Sequence, residues 1–272
     1  MSIVLNSNIN SVFAGTAVSQ TNVDLSKQME ALSTGKRINF ASDDSAGSTV
    51  VSRMALQIAG LNQSVKNAND GISLGQTYDA SAQTISNILV RMQTLATQIA
   101  SQTYNSSDAT NANQEFGQLQ SEITRIATNT KWNGAFSLST SAKPVTIQVG
   151  NTSGDTITVN LSDITSKGLG VSAATIATAS AASTALSSIS AAMATLNSAR
   201  AVTGAVVNRL QDTVSVLMNL SQRTQEAQSQ IQSTDYAAAS SALAKDNVLL
   251  QAGTAMLAQA NQQPQYILTL LK

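Results

Sequence analysis

The sequence predicts a mainly α-helical protein: a long antiparallel α-helical coiled-coil rod formed by the N- and C-terminal halves, with a small β-hairpin in the middle. Three observations support this fold class. Apolar residues recur at alternating intervals of four and three in both halves, the middle is polar and rich in turn-forming residues, and two short stretches within it alternate apolar and polar residues. The first pattern places apolar side chains on one face of a helix, and strict alternation is typical of strands.

The first helix is predicted over residues 8–34, and Gly35 is expected to end it in the left-handed conformation that glycine adopts readily. A short connector, residues 36–42, follows this helix. Its two cations, Lys36 and Arg37, suit the negative end of the helix dipole.

The second helix is predicted to begin near Ser45, because Ser42, Asp43 and Asp44 can cap it. We interpret the two acids as caps rather than as a catalytic pair, since no His, metal partner or glycine-rich loop lies nearby. A turn-like triplet at 69–71 interrupts the apolar repeat of this helix. The repeat, whose residues we call the seam, continues on both sides of the triplet and favours one continuous helix. The predicted seam residues are Met54, Ile58, Leu61, Val65, Ala68, Ile72, Leu74, Tyr78, Ser81, Ile85, Ile88, Met92, Leu95 and Ile99.

Shorter elements are predicted between the two halves. Residues 105–112 are expected to form a polar loop before a third helix, which should pack antiparallel to the second. Trp132 is interpreted as the anchor of a turn rather than as a binding platform. Two alternating stretches around a turn at 150–155 predict a hairpin, and residues 162–182, which are poor in large apolar residues, predict an exposed loop.

The return helix is predicted over residues 183–232, and a last helix follows the polar residues 233–235. The apolar stretch beyond Pro264 is unusual, because chain ends normally fray in water, and we expect it to need a partner. The predicted seam residues of the return helix are Leu186, Ile189, Met193, Leu196, Arg200, Thr203, Val207, Leu210, Val214, Leu217, Ser221, Thr224, Gln228 and Ile231.

The composition removes the usual residues of most enzymes. The 272 residues include no His and no Cys, so the commonest general base, the commonest metal ligand, thiolate nucleophiles and disulfides are all absent. Lys and Arg together number 15, as do Asp and Glu, so the chain has no basic field for nucleic acid and its near-zero charge permits self-association. We therefore expect no catalytic, cofactor-binding or metal site.

Targeting signals are also missing from the residues. No run approaches the length of a membrane span, and residues 1–15 lack the basic start and uninterrupted apolar region of a Sec signal peptide. Ordinary rules therefore predict a cytosolic protein, but such rules do not detect the export of unfolded or chaperone-delivered chains.

Two long motifs resemble the terminal signatures of bacterial flagellins. The first begins at Leu32 and reads LSTGKRINFASDDSAG, and the second begins at Ala258 and reads AQANQQPQYILTLL. The resemblance covers residues 1 to about 140 and about 183 to 272. Shorter matching strings lie at residues 67–73, 130–134 and 208–210.

The resemblance implies a structural subunit that self-assembles into the helical filament of the bacterial flagellum for swimming motility, and not an enzyme. In flagellins the chain ends form paired helices that line the inner tube of the filament, and longer helices with a short hairpin surround them. For this chain, the terminal helices would be 1–42 with 233–272, disordered in the monomer, and the helical rod domain would be 43–232. Residues 137–182 would be a reduced form of the region that carries large outer domains in many flagellins.

The resemblance implies that the apolar N- and C-terminal segments take part in assembly. Each end alone buries too little apolar surface to offset its ordering entropy, so we expect folding when neighbouring subunits cover it. The lack of Cys and the presence of only 2 Pro suit a chain that is exported unfolded, without a Sec signal peptide, and folded at the growing extracellular tip. The expected polymerisation contacts are Ile9, Leu25, Met29, Leu32, Leu250, Leu257, Leu268 and Leu271.

The implied partners are further copies of the chain, the flagellar export chaperone, the filament cap and the hook–filament junction proteins. From the composition, the charge balance and the lack of a long apolar run, we expect no cofactor, no nucleic acid partner and no membrane insertion.

A possible receptor patch also follows from the resemblance. Flagellins recognised by the innate immune receptor of vertebrates use a patch on the second and third helices, and Arg91, Leu95, Gln98 and Glu115 match positions in it. This chain reads RMQTL where recognised members have an Arg-Glu-Leu core, so Thr94 replaces an acid and weak activation is predicted. Alternatively, Arg91 and Glu115 are solvated surface charges and Leu95 is a seam residue.

Three other functions fit the residues less well. The hook–filament junction protein has similar terminal helices but much weaker matches to the two long motifs. An adhesin or carbohydrate-binding module would need clustered aromatic or acidic residues in 137–182, where only Asp155 and Asp163 are found. A zinc protease, which some flagellins carry, needs a His-Glu-x-x-His helix, and this chain has no His.

Overall fold

The computed structural model describes residues 8–134, 136–137 and 144–270, and within these ranges it confirms the mainly α-helical fold class. The helices are α1 (Ile9–Thr34), α2 (Ser45–Ala100), α3 (Ser106–Asn129), α4 (Ala179–Gln232) and α5 (Tyr236–Leu270). The strands are β1 (Lys131–Trp132), β2 (Phe136–Ser137), β3 (Val145–Gln148) and β4 (Thr156–Val159), which form two separate antiparallel hairpins.

The described chain divides into two compact units. The first contains the residues up to Leu56 and from Thr224 onward, and the second spans Gln57–Arg223. The first unit therefore takes in α1 and α5 together with the beginning of α2 and the end of α4.

In the first unit, α1 and α5 pack antiparallel. At one end of the pair, Asn8 Nδ2 donates to the carbonyl of Ala260 at 2.8 Å, and at the other end the N–H of Thr234 donates to the carbonyl of Gly35 at 3.0 Å. Gly35 has a φ of 70°, the left-handed conformation predicted for the end of α1.

The two aspartates before α2 have different roles. Asp44 Oδ1 accepts the N–H of Gly47 at 2.8 Å and caps α2, as predicted. The prediction is wrong for Asp43, whose Oδ2 accepts the N–H groups of Phe40 and Asn39 at 2.9 and 3.2 Å and so holds the connector in a turn. These bonds to its charged form lower the pKa of Asp43.

In the second unit, α2 and α4 pack antiparallel, as the two seams predicted. Ser221 Oγ donates to Asn62 Oδ1 at 3.1 Å, and Arg200 Nε donates to Asp79 Oδ1 at 2.7 Å. The predicted seam residues of this unit are all buried or half-buried. Its largest fully buried side chains are Tyr78, Ile85, Leu89, Met92, Phe116, Ile123, Val159, Ile164, Ile176, Ile189, Leu196 and Leu210.

The helix α2 continues through the turn-like triplet that ends at Gly71, as the seam predicted. A Cβ at Gly71 would overlap Ile147 Cδ1 of strand β3, and a Cβ at Gly75 would lie 2.5 Å from Val207 Cγ2 of α4. Side-chain tips of neighbouring elements thus occupy the space that a Cβ would need at these two positions, so a larger residue there would force Ile147 or Val207 to move. Packing overrides the local turn propensity of these residues.

The helix α3 begins earlier than predicted, so the expected polar loop at 105–112 is wrong beyond its first residue. Asn105 Oδ1 accepts the N–H of Asp108 at 2.8 Å and caps the helix. The first turns contain small and polar residues, among which Ala109 is buried. Because these residues carry no large apolar side chains, they give no helical period to detect.

The two hairpins differ in how well the sequence marks them. Strands β3 and β4 pair antiparallel, as predicted, with Ile147 opposite Ile157. The pairing of β1 with β2 was not predicted. Trp132 lies in β1 opposite Phe136, and Asn133 begins the turn with a φ of 49°. Strands of two residues are too short to show alternation.

The segment between β4 and α4 buries its larger apolar residues while many of its small and polar residues stay exposed, so the prediction of an exposed loop at 162–182 is wrong for the apolar residues. Gln120 Nε2 of α3 donates to the carbonyls of Val171 and Ala174 at 2.7 and 2.8 Å, so that α3 holds the backbone of this segment. Its apolar residues are too widely spaced to form a period. Those that are buried include Ile164, Leu169, Val171 and Ile176.

Tyr78 joins this segment to α2. Its hydroxyl donates to the carbonyl of Ser162 at 3.2 Å, and its side chain is fully buried. Burial raises the pKa of Tyr78 to about 12, and the carboxylate of Asp163 acts in the same direction. The folded state therefore favours the neutral phenol. This contribution to stability is complete below the ordinary tyrosine pKa of about 10 and is lost as the pH rises from there to about 12.

We expect Tyr78→Phe to lower the free energy of unfolding at neutral pH by about 1 kcal/mol, because a buried hydrogen bond is lost. Above about pH 10, its stability should fall less steeply than that of the parent, because no buried phenol remains to ionise. Urea unfolding of the monomer across this range checks both effects. Tyr104→Phe is the control, since Tyr104 is 44% exposed. Identical alkaline slopes for Tyr78→Phe and the parent would contradict the prediction.

We expect Gly71→Ala to destabilise the monomer by about 1–3 kcal/mol through overpacking, despite the better helix propensity of alanine. Its new methyl group would overlap Ile147 Cδ1 and lie 3.1 Å from Leu210 Cδ1. Gly204→Ala is the matched control, because a Cβ at Gly204 in α4 meets no atom within 4 Å. The control should be stabilised by up to about 1 kcal/mol. Thermal unfolding followed by circular dichroism measures both, and a Gly71→Ala variant as stable as the control would refute the prediction.

Candidate functional site

The α1–α5 pair is held together by one face of each helix. Positions at alternating intervals of three and four are buried or half-buried on both helices, the spacing of a coiled-coil seam. Small and polar residues occupy many of these positions, so the seam buries little apolar volume. The seam comprises Ser11, Ala14, Val18, Thr21, Leu25, Gln28 and Leu32 of α1 with Ala239, Leu243, Asp246, Leu250, Gly253, Leu257 and Ala260 of α5.

A second set of residues on the same two helices is large, apolar and exposed. Phe13 is 76% exposed, and Met256 is 64% exposed. Helices that are apolar on more than one face are normally buried, and clustered exposed apolar residues mark protein contact surfaces. We call this the exposed apolar set: Ile9, Val12, Phe13, Val23 and Met29 of α1 with Tyr236, Val248, Leu249 and Met256 of α5.

Six of the eight residues expected at polymerisation contacts are divided between these surfaces. The exposed members are Ile9 and Met29, and the half-buried seam members are Leu25, Leu32, Leu250 and Leu257. Leu268 lies within α5, and Leu271 lies outside the described residues. Sequence reasoning missed exposed residues such as Phe13, Val248 and Met256, because it followed only the larger leucines and the chain ends.

Arg91 and Glu115 join the surfaces of α2 and α3. Arg91 Nη2 and Nε donate to Glu115 Oε1 at 2.7 and 2.9 Å. The two side chains remain 54% and 44% exposed, so water screens the pair and its contribution to stability is small. Gln98 is also exposed on α2. Three residues of the expected receptor patch are therefore exposed at the protein surface.

Leu95 does not share that surface. It is 4% exposed and belongs to the core of the second unit, which agrees with its alternative interpretation as a seam residue. A partner that binds the outer face of α2 would contact little of this side chain.

The titratable groups with shifted pKa values have structural roles. The hydrogen bonds from Arg125 lower the pKa of Glu122 and the same bonds raise that of Arg125, both on the exposed face of α3. Among the described residues, no three His, Cys, Asp or Glu side chains are grouped so that they could hold a metal ion.

None of the helices in the described ranges is both long and apolar enough to cross a membrane.

Comparisons with known proteins give a consistent result. Residues 5–143 match the family model for the bacterial flagellin N-terminal helical region, and residues 186–271 match the model for the C-terminal helical region. The chain is 39% identical to a flagellin of Halalkalibacterium halodurans, over 90% of this chain and 91% of that protein. It is 34% identical to the flagellar filament 31.3 kDa core protein of Treponema maltophilum, over 99% of this chain and 100% of that protein.

A solved structure is also similar. The crystal structure of Bacillus cereus flagellin matches with a TM-score of 0.51 and 36% sequence identity, over 56% of this chain and 88% of that chain.

We expect Leu95→Ala to lower the free energy of unfolding by about 2–5 kcal/mol, because it removes core packing. Gln98→Ala, its exposed neighbour on α2, should change stability by less than about 0.5 kcal/mol. Thermal unfolding of both monomers checks this difference. Equal stabilities would mean that Leu95 is not a core residue. The measurement also separates loss of fold from loss of recognition in any binding study of Leu95.

Proposed function

Because this chain belongs to the bacterial flagellin family and is a structural subunit of the flagellar filament rather than an enzyme, we propose that its terminal helices become ordered as copies of the chain assemble. The single observation that carries this proposal is the exposed apolar set on α1 and α5. In an isolated chain these side chains face water. In a homopolymer, neighbouring subunits would cover them.

The balance of entropy and burial supports assembly-coupled folding. Fixing each backbone residue costs roughly 1–2 kcal/mol of conformational entropy, and burial returns about 25 cal/mol for each Å² of apolar surface. The α1–α5 seam contains small or polar residues such as Ser11, Thr21, Asp246 and Gly253. We infer that the seam alone returns too little free energy to keep the pair ordered, and that contacts with further copies supply the remainder.

The expected polymerisation residues have two roles in this proposal. The half-buried leucines hold α1 on α5, and the exposed residues contact neighbouring subunits. We also propose Leu268 and Leu271 as polymerisation contacts. The seam group consists of Leu25, Leu32, Leu250 and Leu257, and the contact group contains Ile9 and Met29 with the rest of the exposed apolar set.

We propose the domain roles from the same reasoning. Residues 1–42 and 233–272 line the inner tube of the filament, and residues 43–232 form the layer around them. Residues 137–182 are the reduced counterpart of the outer domains of longer flagellins. The short β3–β4 hairpin and the short irregular segment after it are consistent with this role.

We propose that the chain is exported in an unfolded state. The chain has no Cys and only 2 Pro, so neither disulfides nor many slow prolyl isomerisations would delay threading and refolding. An export chaperone, the filament cap and the hook–filament junction proteins are the proposed partners along this route. No Sec signal peptide is required.

Electron microscopy of the full chain beside a chain lacking 1–42 and 233–272, seeded under salt that favours polymerisation, tests the assembly mechanism. We expect filaments from the full chain only. A truncated chain that polymerises equally well would place the assembly contacts elsewhere. A compact full-length monomer that never polymerises would favour the alternative hypothesis of a hook–filament junction protein.

Point variants locate the contacts more sharply. We expect Phe13→Gln to raise the critical concentration for polymerisation about tenfold or more, because an apolar contact worth about 1.5–3 kcal/mol is lost. Ser19→Gln places the same side chain at another exposed position of α1 and should have little effect. Sedimentation of polymer at a series of concentrations measures both. Equal critical concentrations for the two variants would contradict a contact role for Phe13.

We propose that the vertebrate innate receptor responds weakly to this chain, because Thr94 stands where recognised members have an acid and Leu95 is buried. A reporter-cell assay with purified monomer should show low activation, and Thr94→Glu should increase it by restoring the acid. Strong activation by the parent at low concentration would refute the proposal.

A further inference from the structure

Pro264 lies within α5, where a proline is unfavourable because it has no backbone N–H. In an uninterrupted helix, the N–H of residue 264 would donate to the carbonyl of Ala260, four residues earlier. Ala260 is only 9% exposed, so water has little access to that residue. Its carbonyl instead accepts a hydrogen bond from Asn8 Nδ2 at 2.8 Å. The side chain of Asn8 thus replaces the donor that Pro264 lacks.

Asn8 also caps the other helix. Its Oδ1 accepts the N–H of Ser11 at 3.2 Å, and its main-chain carbonyl accepts the N–H of Val12 at 3.1 Å. A side-chain amide offers one acceptor and two donor hydrogens, so it can satisfy an N–H at the start of α1 and a carbonyl of α5 together. An aspartate could cap α1 but could not donate to Ala260.

The neighbouring polar contacts are less specific in register. Ser11 Oγ donates to Asn261 Oδ1 at 2.7 Å, and Asn10 Nδ2 donates to Gln263 Oε1 at 3.2 Å, and of these four residues only Ser11 is half-buried. Side-chain pairs of this kind can re-form with other polar residues if α1 slides along α5. The carbonyl freed by a proline occurs at one place in the interior of α5.

We propose that Asn8 is a positioning residue for assembly, whose amide sets the register of α1 on α5 by bonding the carbonyl that Pro264 leaves free. The seam repeats at intervals of three and four and contains many small residues, so it distinguishes registers one heptad apart only weakly. A single polar contact at a seam can specify register, as in coiled coils. The inference rests on the proposed function, in which these two helices pair as subunits assemble.

The test is a double-mutant cycle on the full-length chain, with Asn8→Asp and Pro264→Ala, read out as the critical concentration for polymerisation. Asn8→Asp retains an N-cap acceptor but removes the donor, and should raise the critical concentration about tenfold. In the Pro264→Ala background, the new N–H of residue 264 reaches Ala260, so Asn8→Asp should change the critical concentration by less than about twofold. An equal effect in both backgrounds would overturn the inference.

A second comparison remains informative if Pro264→Ala does not assemble. Asn10→Asp introduces the same charge two residues away and removes only an exposed side-chain bond. Amide hydrogen exchange in assembled filaments should show faster exchange over residues 261–270 in Asn8→Asp than in Asn10→Asp. Equal protection, or equal loss of assembly in both variants, would overturn the inference.

The outcomes for this inference and for the proposed function can be told apart. A parent chain that fails to polymerise would contradict the proposed function. A parent and an Asn8→Asp variant that polymerise equally would overturn only the role of Asn8.

Discussion

The antiparallel packing of α2 on α4 is the constraint on which the rest of the second unit depends. It brings residues from distant parts of the chain together, as in the hydrogen bond between Arg200 and Asp79. It also creates a surface to which the smaller elements attach. The β3–β4 hairpin fits against Gly71, where any side chain would obstruct Ile147. Tyr78 then binds the segment that follows the hairpin. Glycine at this position leaves room for the packing of Ile147, even though glycine weakens the helix locally.

The first unit follows the same antiparallel plan with a different distribution of apolar residues. The α2–α4 seam of the second unit belongs to a core with fully buried large side chains, whereas the α1–α5 seam is half-buried and leaves residues such as Phe13 in water. This difference is what the proposed assembly-coupled folding requires. In that proposal, one part is stable as a folded unit, and the other gains its stability from further copies. A surface that is unfavourable in the isolated chain would then provide the driving force for the polymer.

Polar residues in this protein set geometry rather than perform chemistry. Asp43 and Asp44 order the connector and the start of α2, Gln120 holds two carbonyls of an irregular segment, and Asn8 serves both terminal helices. Each of these groups satisfies backbone donors or acceptors that regular secondary structure leaves unpaired. Function in such a protein resides in the positions of surfaces, and a few hydrogen bonds decide those positions.

The sequence by itself determined that the five helices exist, the seams of α2 and α4, the main hairpin, the passage of α2 through its turn-like triplet and the family. These features repeat along the chain, and a repeat of apolar residues directly records which face of a regular element is buried. Only the tertiary structure decided that apolar residues of the irregular segment such as Ile176 are buried, that Leu95 lies in the core while Gln98 is exposed, and that Asn8 bonds to Ala260. Irregular segments are held by hydrogen bonds to residues far away in the chain. Such contacts leave no periodic trace in the sequence, because they depend on where the regular elements have already packed.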